Sequence, residues 1–143
     1  MLFTRLQRTG PEKVFTVVSN IQGATITTGY PVNLAVGVSN DGISAQIANT
    51  AANYPGFIGV AVKDIASNDY GLVQISGFVN SVFLSNVGTS ITITAGDPLV
   101  PAPAGFFSGA PTYANSGFRM AFASNVPVAV SGTAYASGLL RLI

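Results

Sequence analysis

The sequence predicts an all-β protein: a compact β-barrel, β-tulip-like or sandwich body entered by an extended N-terminal arm. Three observations carry this. Apolar and polar residues alternate with a period of two in one short run after another, turn-forming residues separate the runs, and no segment is long enough to stand as a helix. Residues 1–13 form the arm and residues 14–143 a single β domain. At 143 residues and 14.6 kDa, folding leaves about 6,900 Å² of roughly 21,000 Å² exposed, enough burial for a core without staples. With no cysteine, no disulfide staple is available.

The arm holds four of the eleven formal charges, Arg5, Arg8, Glu12 and Lys13. Gly10-Pro11 breaks its backbone pattern, because glycine frees φ while proline fixes it and donates no hydrogen bond. From Val14 the alternation begins. Val32, Leu34, Val36 and Val38 share one face, as do Ile43, Ala45 and Ile47. Ile58, Val60 and Val62 follow the Tyr54-Pro55-Gly56 break, and Val73 and Ile75 alternate with Gln74 and Ser76. Ile91 and Ile93 sit among Ser90, Thr92 and Thr94; Phe118, Met120 and Phe122 form a later row, and Val126, Val128 and Val130 another. Each such run turns one face to a core and the other to solvent or a neighbour.

Between the runs stand Asn40-Asp41-Gly42, Asn68-Asp69-Tyr70-Gly71, Gly96-Asp97-Pro98 and Asn115-Ser116-Gly117. Their Asn and Asp side chains cap turns, and glycine supplies positive φ. Residues 48–53 are too short for an independent helix and are expected to turn. Residues 101–105, with two prolines, are expected to form a loop or edge excursion. The end of the chain, from Ser137 to Ile143, is expected to close the body as a final strand or to zip onto a neighbour.

Charge narrows the function. Only 8% of residues are charged while 48% are hydrophobic, and the net charge is +1. About a quarter charged is usual, so this surface suits docking onto other protein. It carries no basic footprint for nucleic acid or an anionic membrane. The apolar run at residues 56–62 is far shorter than the roughly 18 residues of a membrane span. Residues 1–8 lack an uninterrupted apolar core with a cleavage site, so synthesis in the cytoplasm is expected.

The chemistry of catalysis is thinly represented. Without histidine, cysteine or tryptophan, the usual general base and the common nitrogen and sulfur metal ligands are missing. Five carboxylates remain: Glu12, Asp41, Asp64, Asp69 and Asp97. Three of them lie in turn signals, where a structural role suffices, and no calcium-loop, phosphate-cradle or Gly-x-Ser-x-Gly pattern occurs. No enzyme, cofactor or metal site is expected. Phe78, Phe118 and Phe122 lie in alternating rows and are expected in the core. Tyr30, Tyr54, Tyr70 and Tyr113 lie in loops, where a sugar-stacking platform would have to form.

Several segments resemble one family. Thr28-Gly29-Tyr30-Pro31-Val32-Asn33-Leu34, Pro55-Gly56-Phe57-Ile58-Gly59-Val60-Ala61, Gly71-Leu72-Val73-Gln74-Ile75-Ser76-Gly77 and Thr94-Ala95-Gly96-Asp97-Pro98-Leu99 followed by Ala104-Gly105 are similar to the head-decoration, or capsid cement, proteins of tailed bacteriophages. The likeness spans residues 28 to 123 in short, glycine-led motifs. It implies a barrel or tulip-like body, often a homotrimer, on the exterior of a capsid, contacting the major capsid protein and stabilising the shell. It also implies that the arm engages the shell, with Phe3, Arg5, Leu6, Arg8 and Lys13 as contacts. A phage fibre, neck or tail module, or a carbohydrate-binding β module, would share the same composition.

Overall fold

The computed structural model describes residues 12–39, 41–47, 56–85, 91–102, 106–109, 121–123, 128–130 and 133–140. Within them run eleven strands: β1 (Val14–Asn20), β2 (Pro31–Leu34), β3 (Ser44–Ile47), β4 (Phe57–Ala61), β5 (Tyr70–Ser85), β6 (Ile91–Ile93), β7 (Pro98–Ala102), β8 (Phe106–Gly109), β9 (Ala121–Ala123), β10 (Val128–Val130) and β11 (Thr133–Leu140). Nine join in one sheet that closes on itself twice. Ring one runs β1–β3–β2–β4–β5 and returns to β1; ring two runs β5–β11–β9–β7–β8 and returns to β5. The β1–β3 and β5–β8 joins are parallel and the others antiparallel. β6 and β10 pair separately. The body is therefore a barrel rather than a sandwich, and β5 belongs to both rings.

β5 serves two rings because it is 16 residues long and changes partners at Gly77. Up to Ser76 it pairs with β1; from Gly77 onward it pairs with β11. Gly77 has φ of +94°, and a Cβ there would run into the backbone carbonyl of Glu12. Only glycine lets the chain bend and approach so closely.

Each ring has its own core. Val18, Ile26, Val32, Ala45, Ala61, Ile65 and Val73 fill ring one. Ile26 and Ile65 plug it, exchanging both backbone hydrogen bonds at 2.9 Å. The second core gathers Val79, Val82, Leu84, Ile93, Leu99, Ala136 and Leu140 with Phe57 and Val60 of β4. β4 thus feeds both cores, Ala61 to one and Phe57 and Val60 to the other, which is why residues 56–62 read as a near-continuous apolar run. Bulges make this possible. Val32↔Gly59 and Asn33↔Phe57 leave Ile58 extra on β4, and Ala136↔Val82 and Gly138↔Val79 leave two residues of β5 opposite Ser137. Each resets which face the following residues take.

The strands depart from the sequence expectation at three points. The run through Val38 stops at Leu34; residues 36–38 form a turn that leaves Val36 and Val38 in solvent. Pro101 lies inside β7 instead of a loop. It pairs with Phe107 of β8, while the β9 side is registered only at Pro98 and Leu99, so among the described residues Pro101 has a ladder neighbour on one side alone, the edge setting that proline tolerates. Phe78 is half-buried rather than core. The final strand does close the body: β11 pairs with β5 and β9, beginning at Thr133. Residues 1–11 of the arm, residues 48–55, and Phe118 and Met120 lie outside the described residues. Among those described, no helix is long and apolar enough to cross a membrane.

Candidate interaction face and cleft

The outer wall of ring one is the surface that stands out. The register sets Val17 opposite Leu72, Phe15 opposite Gln74 and Ser19 opposite Tyr70, while the Val62 amide donates to the Leu72 carbonyl at 3.1 Å. Residues directly opposite one another point to the same side of a sheet. Val17, Leu72 and Val62 therefore form a row, with Phe15 and Tyr70 flanking it. All five are exposed, Tyr70 to 64% and Val17 to 53%. The next row, Phe15–Gln74–Val60, shows what becomes of the face further on, for Val60 is buried in the second core. One end of the wall is thus covered by ring two and the other is open. The open part is a contiguous apolar patch, a kind of surface that often marks a contact site. None of its five residues is charged.

Where the wall meets ring two lies a cleft of about 170 Å³. Val60, Ala61, Val62 and Val79 give it apolar walls, and Phe15, Lys13 and Gln74 border it. Gln74, on the face opposite Val73 and expected towards solvent or a neighbour, is buried and donates from Nε2 to the carbonyls of Ser76 and Phe78 at 3.1 and 3.0 Å. That holds β5 through its bend at Gly77.

Of the residues expected to touch a partner, Lys13 is exposed and borders this cleft beside Phe15. Phe3, Arg5, Leu6 and Arg8 lie outside the described residues. Sequence reasoning missed the face itself. The signal was available: Val14-Phe15-Thr16-Val17-Val18 is apolar on both parities, more than a single core can take up.

Asp41, Asp69 and Asp97 are used within their own turns, and Asp64 ties its loop to the one before β2. Asp41 accepts from the Ser44 hydroxyl at 2.7 Å and from the Ser44 and Ile43 amides, which holds its carboxyl far below the usual range. Asp64 accepts from the Thr28 amide and hydroxyl at 2.7 and 2.8 Å, and Asp97 from the Thr94 amide at 2.7 Å; both are lowered by those bonds. Asp69 accepts from the Tyr70 amide at 2.8 Å. Among the described residues, no group of three or more carboxylates could hold a metal.

Of the four tyrosines expected in loops, Tyr30 and Tyr70 are described, and they lie apart. Tyr30 packs edge-on against Phe83 with centroids 5.0 Å apart, and Phe83 against Tyr135 at 4.7 Å. Burial raises the Tyr30 hydroxyl's pKa, with a smaller contribution from Tyr135. Tyr70 opens β5 and Phe83 lies near its other end, so Tyr30 and Tyr70 sit toward opposite ends of that strand. Tyr54 and Tyr113 lie outside the described residues.

No family model matches the chain, and no curated protein matches it in sequence. Among solved structures, the crystal structure of the N base of the head fibre protein gp8.5 of bacteriophage phi29 is similar. The two superpose with a TM-score of 0.52 at 13% identity, over 91% of this chain and 95% of that one. At that identity the likeness is one of fold, and it extends over nearly the whole of both chains.

Proposed function

We propose that this chain is a structural protein of a tailed-phage virion that binds the exterior of the capsid and stabilises it as a decoration, or cement, protein. The observation that carries the reading is an uncharged apolar face left open on a ring-closed β body. The fold likeness to a phage head fibre base supports it. Its partners are the major capsid protein and further copies of itself, as a homotrimer; it uses no cofactor, catalyses no reaction, and binds neither nucleic acid nor membrane. It is made in the host cytoplasm and ends on the outside of the virion.

The mechanism is mechanical. Packaged genome pushes the shell outward, and each bound unit adds buried area across the joints between capsomers. A standard interface buries about 1,600 Å², and its repetition over the shell multiplies modest contacts. A face without charges suits this, since desolvating charges is costly. Residues 1–13 supply the remaining grip, with Phe3, Arg5, Leu6, Arg8 and Lys13 as contacts.

The test is co-sedimentation of the purified protein with undecorated capsids of its own phage. Binding that saturates at a fixed simple ratio to the major capsid protein, and is weakened when residues 1–13 are removed from a still-folded body, is the expected result. Full occupancy by the truncated protein would remove the arm from the reading. A second reading, a head-fibre base, neck or tail module, is favoured by the identity of the structural neighbour. It calls for binding at a restricted set of virion sites rather than over the whole shell.

A further inference from the structure

At the cleft an apolar hollow and a positive charge meet. Its volume of about 170 Å³ suits a single large side chain, since a cavity of about 150 Å³ takes a benzene-sized group. The hollow adjoins the open wall of Val17, Leu72 and Tyr70. An occupant that belongs to a larger surface covers both, whereas a free small molecule leaves the wall in water. Two polar side chains at the border are already committed: Gln74 to the carbonyls of Ser76 and Phe78, and Thr28, through its hydroxyl, to Asp64. The ammonium of Lys13 is not. All five side-chain carboxylates of the chain lie among the described residues, and none of them forms an ion pair with Lys13. Four are bonded within or between loops instead.

We infer that the cleft takes an acidic–apolar element of the partner protein: a leucine- or phenylalanine-sized side chain in the hollow, with a neighbouring Asp or Glu carboxylate on the Lys13 ammonium. The inference rests on the capsid-binding reading above and deepens it by naming what the major capsid protein presents at this point. Docking a surface on the wall brings protein over Lys13, which borders the cleft beside Phe15. Water is then stripped from its charge, which costs free energy unless an anion takes the water's place. One carboxylate supplies the single matching charge. Asp64, bonded to Thr28, repels an acid at that border, so the carboxylate is drawn to the Lys13 side.

The test uses the full-length protein, labelled for amide NMR, and blocked dipeptides in pairs that differ in charge alone: Phe-Asp with Phe-Asn, and Asp-Phe with Asn-Phe. At millimolar concentration an acidic dipeptide is expected to shift the amide signals of Phe15, Val62 and Ser81. Its neutral twin is expected to bind about threefold more weakly, and blocked Gly-Asp to shift none of the three. Lys13 is exposed, so its variants keep the fold. In Lys13→Met the acidic and neutral twins are expected to bind alike, and in Lys13→Arg the difference is expected to return. Acidic dipeptides that leave the cleft signals unmoved would overturn the inference, as would twins that bind wild type equally. Capsid binding is scored separately, and Lys13→Glu is expected to lower the occupancy of undecorated capsids. Unchanged occupancy would remove this contact and leave the decoration role standing. Dipeptide binding by a protein that ignores capsids would keep the cleft's preference and remove the decoration role.

Discussion

The side-chain amide of Asn20 donates to the backbone carbonyl of Ile65 at 2.9 Å, tying together positions 45 residues apart in the wall of ring one. The same nitrogen reaches the carbonyls of Ala24 and Ala66 at 2.9 and 3.2 Å, and Oδ1 accepts from the Gln22 amide. Asn20 is fully buried, so each partner it satisfies is shielded from water as well. Asn20→Ala is expected to lower stability by about 3 kcal/mol, read as an earlier urea midpoint. Asn20→Asp is expected to cost at least as much, because its carboxylate has no hydrogen to give to three carbonyls.

Gly77 and Gly96 share a φ near +90° but differ in what surrounds them. A Cβ at Gly77 would meet the Glu12 carbonyl, whereas at Gly96 nothing lies within 4 Å. Gly96→Ala is therefore expected to cost only the left-handed backbone penalty, about 1 kcal/mol. Gly77→Ala adds a clash with backbone and is expected to cost about 3 kcal/mol. Thermal melts of the two variants side by side separate the terms.

A strand shared by two cores should couple them. Leu84 lies in the second core and Val73 in the first, both fully buried on β5. Leu84→Ala is expected to cost about 2–5 kcal/mol through the cavity it leaves. That loss is expected to appear equally in the amide exchange of β2 and of β11. Faster exchange confined to β11 would mean that the rings unfold independently.

Acid should act through the loop carboxylates. Asp41, Asp64 and Asp97 have folded pKa values below those of the unfolded chain because backbone amides and hydroxyls bind their ionised forms. Their contribution is complete above the unfolded value near 4 and is lost as pH falls through the depressed folded values. With no histidine, the melting temperature is expected to stay flat from about pH 5 to 8 and to fall below about pH 4. Asp64→Asn is expected to melt below wild type at neutral pH, with the gap narrowing in acid.

Much of this architecture is legible in the sequence. Val32, Ala45, Val60 and Val73 face cores as the alternation predicts, and Asp41, Asp69 and Asp97 serve their own turns, whereas Asp64 reaches across to Thr28. What was not legible depends on contacts distant in the chain. Asn20 looks like a solvent-side residue because its burial depends on the Ile65 carbonyl 45 positions away, and Gln74 does because its partners, the Ser76 and Phe78 carbonyls, come within reach only through the bend at Gly77. The strand through Val36 looked unbroken because Val-Gly-Val has the same period in a turn as in a ladder. Bulges at Ile58 and opposite Ser137 reverse parity without a residue type that announces them. The double use of β5 could not be read at all, since its two partner strands lie at the two ends of the described chain.

Ring closure has a consequence for life at high density. A sheet with free margins presents rows of unpaired amides and carbonyls, and crowded copies can add to one another through them as fibrils do. Here the nine ring strands find their neighbours within their own chain, down to the Leu84–Phe107 seam. For the ring strands, any meeting with another copy is left to side chains, whose fit can be specific and can end. Rings built this way can be crowded together without their backbone acting as a template for disordered growth.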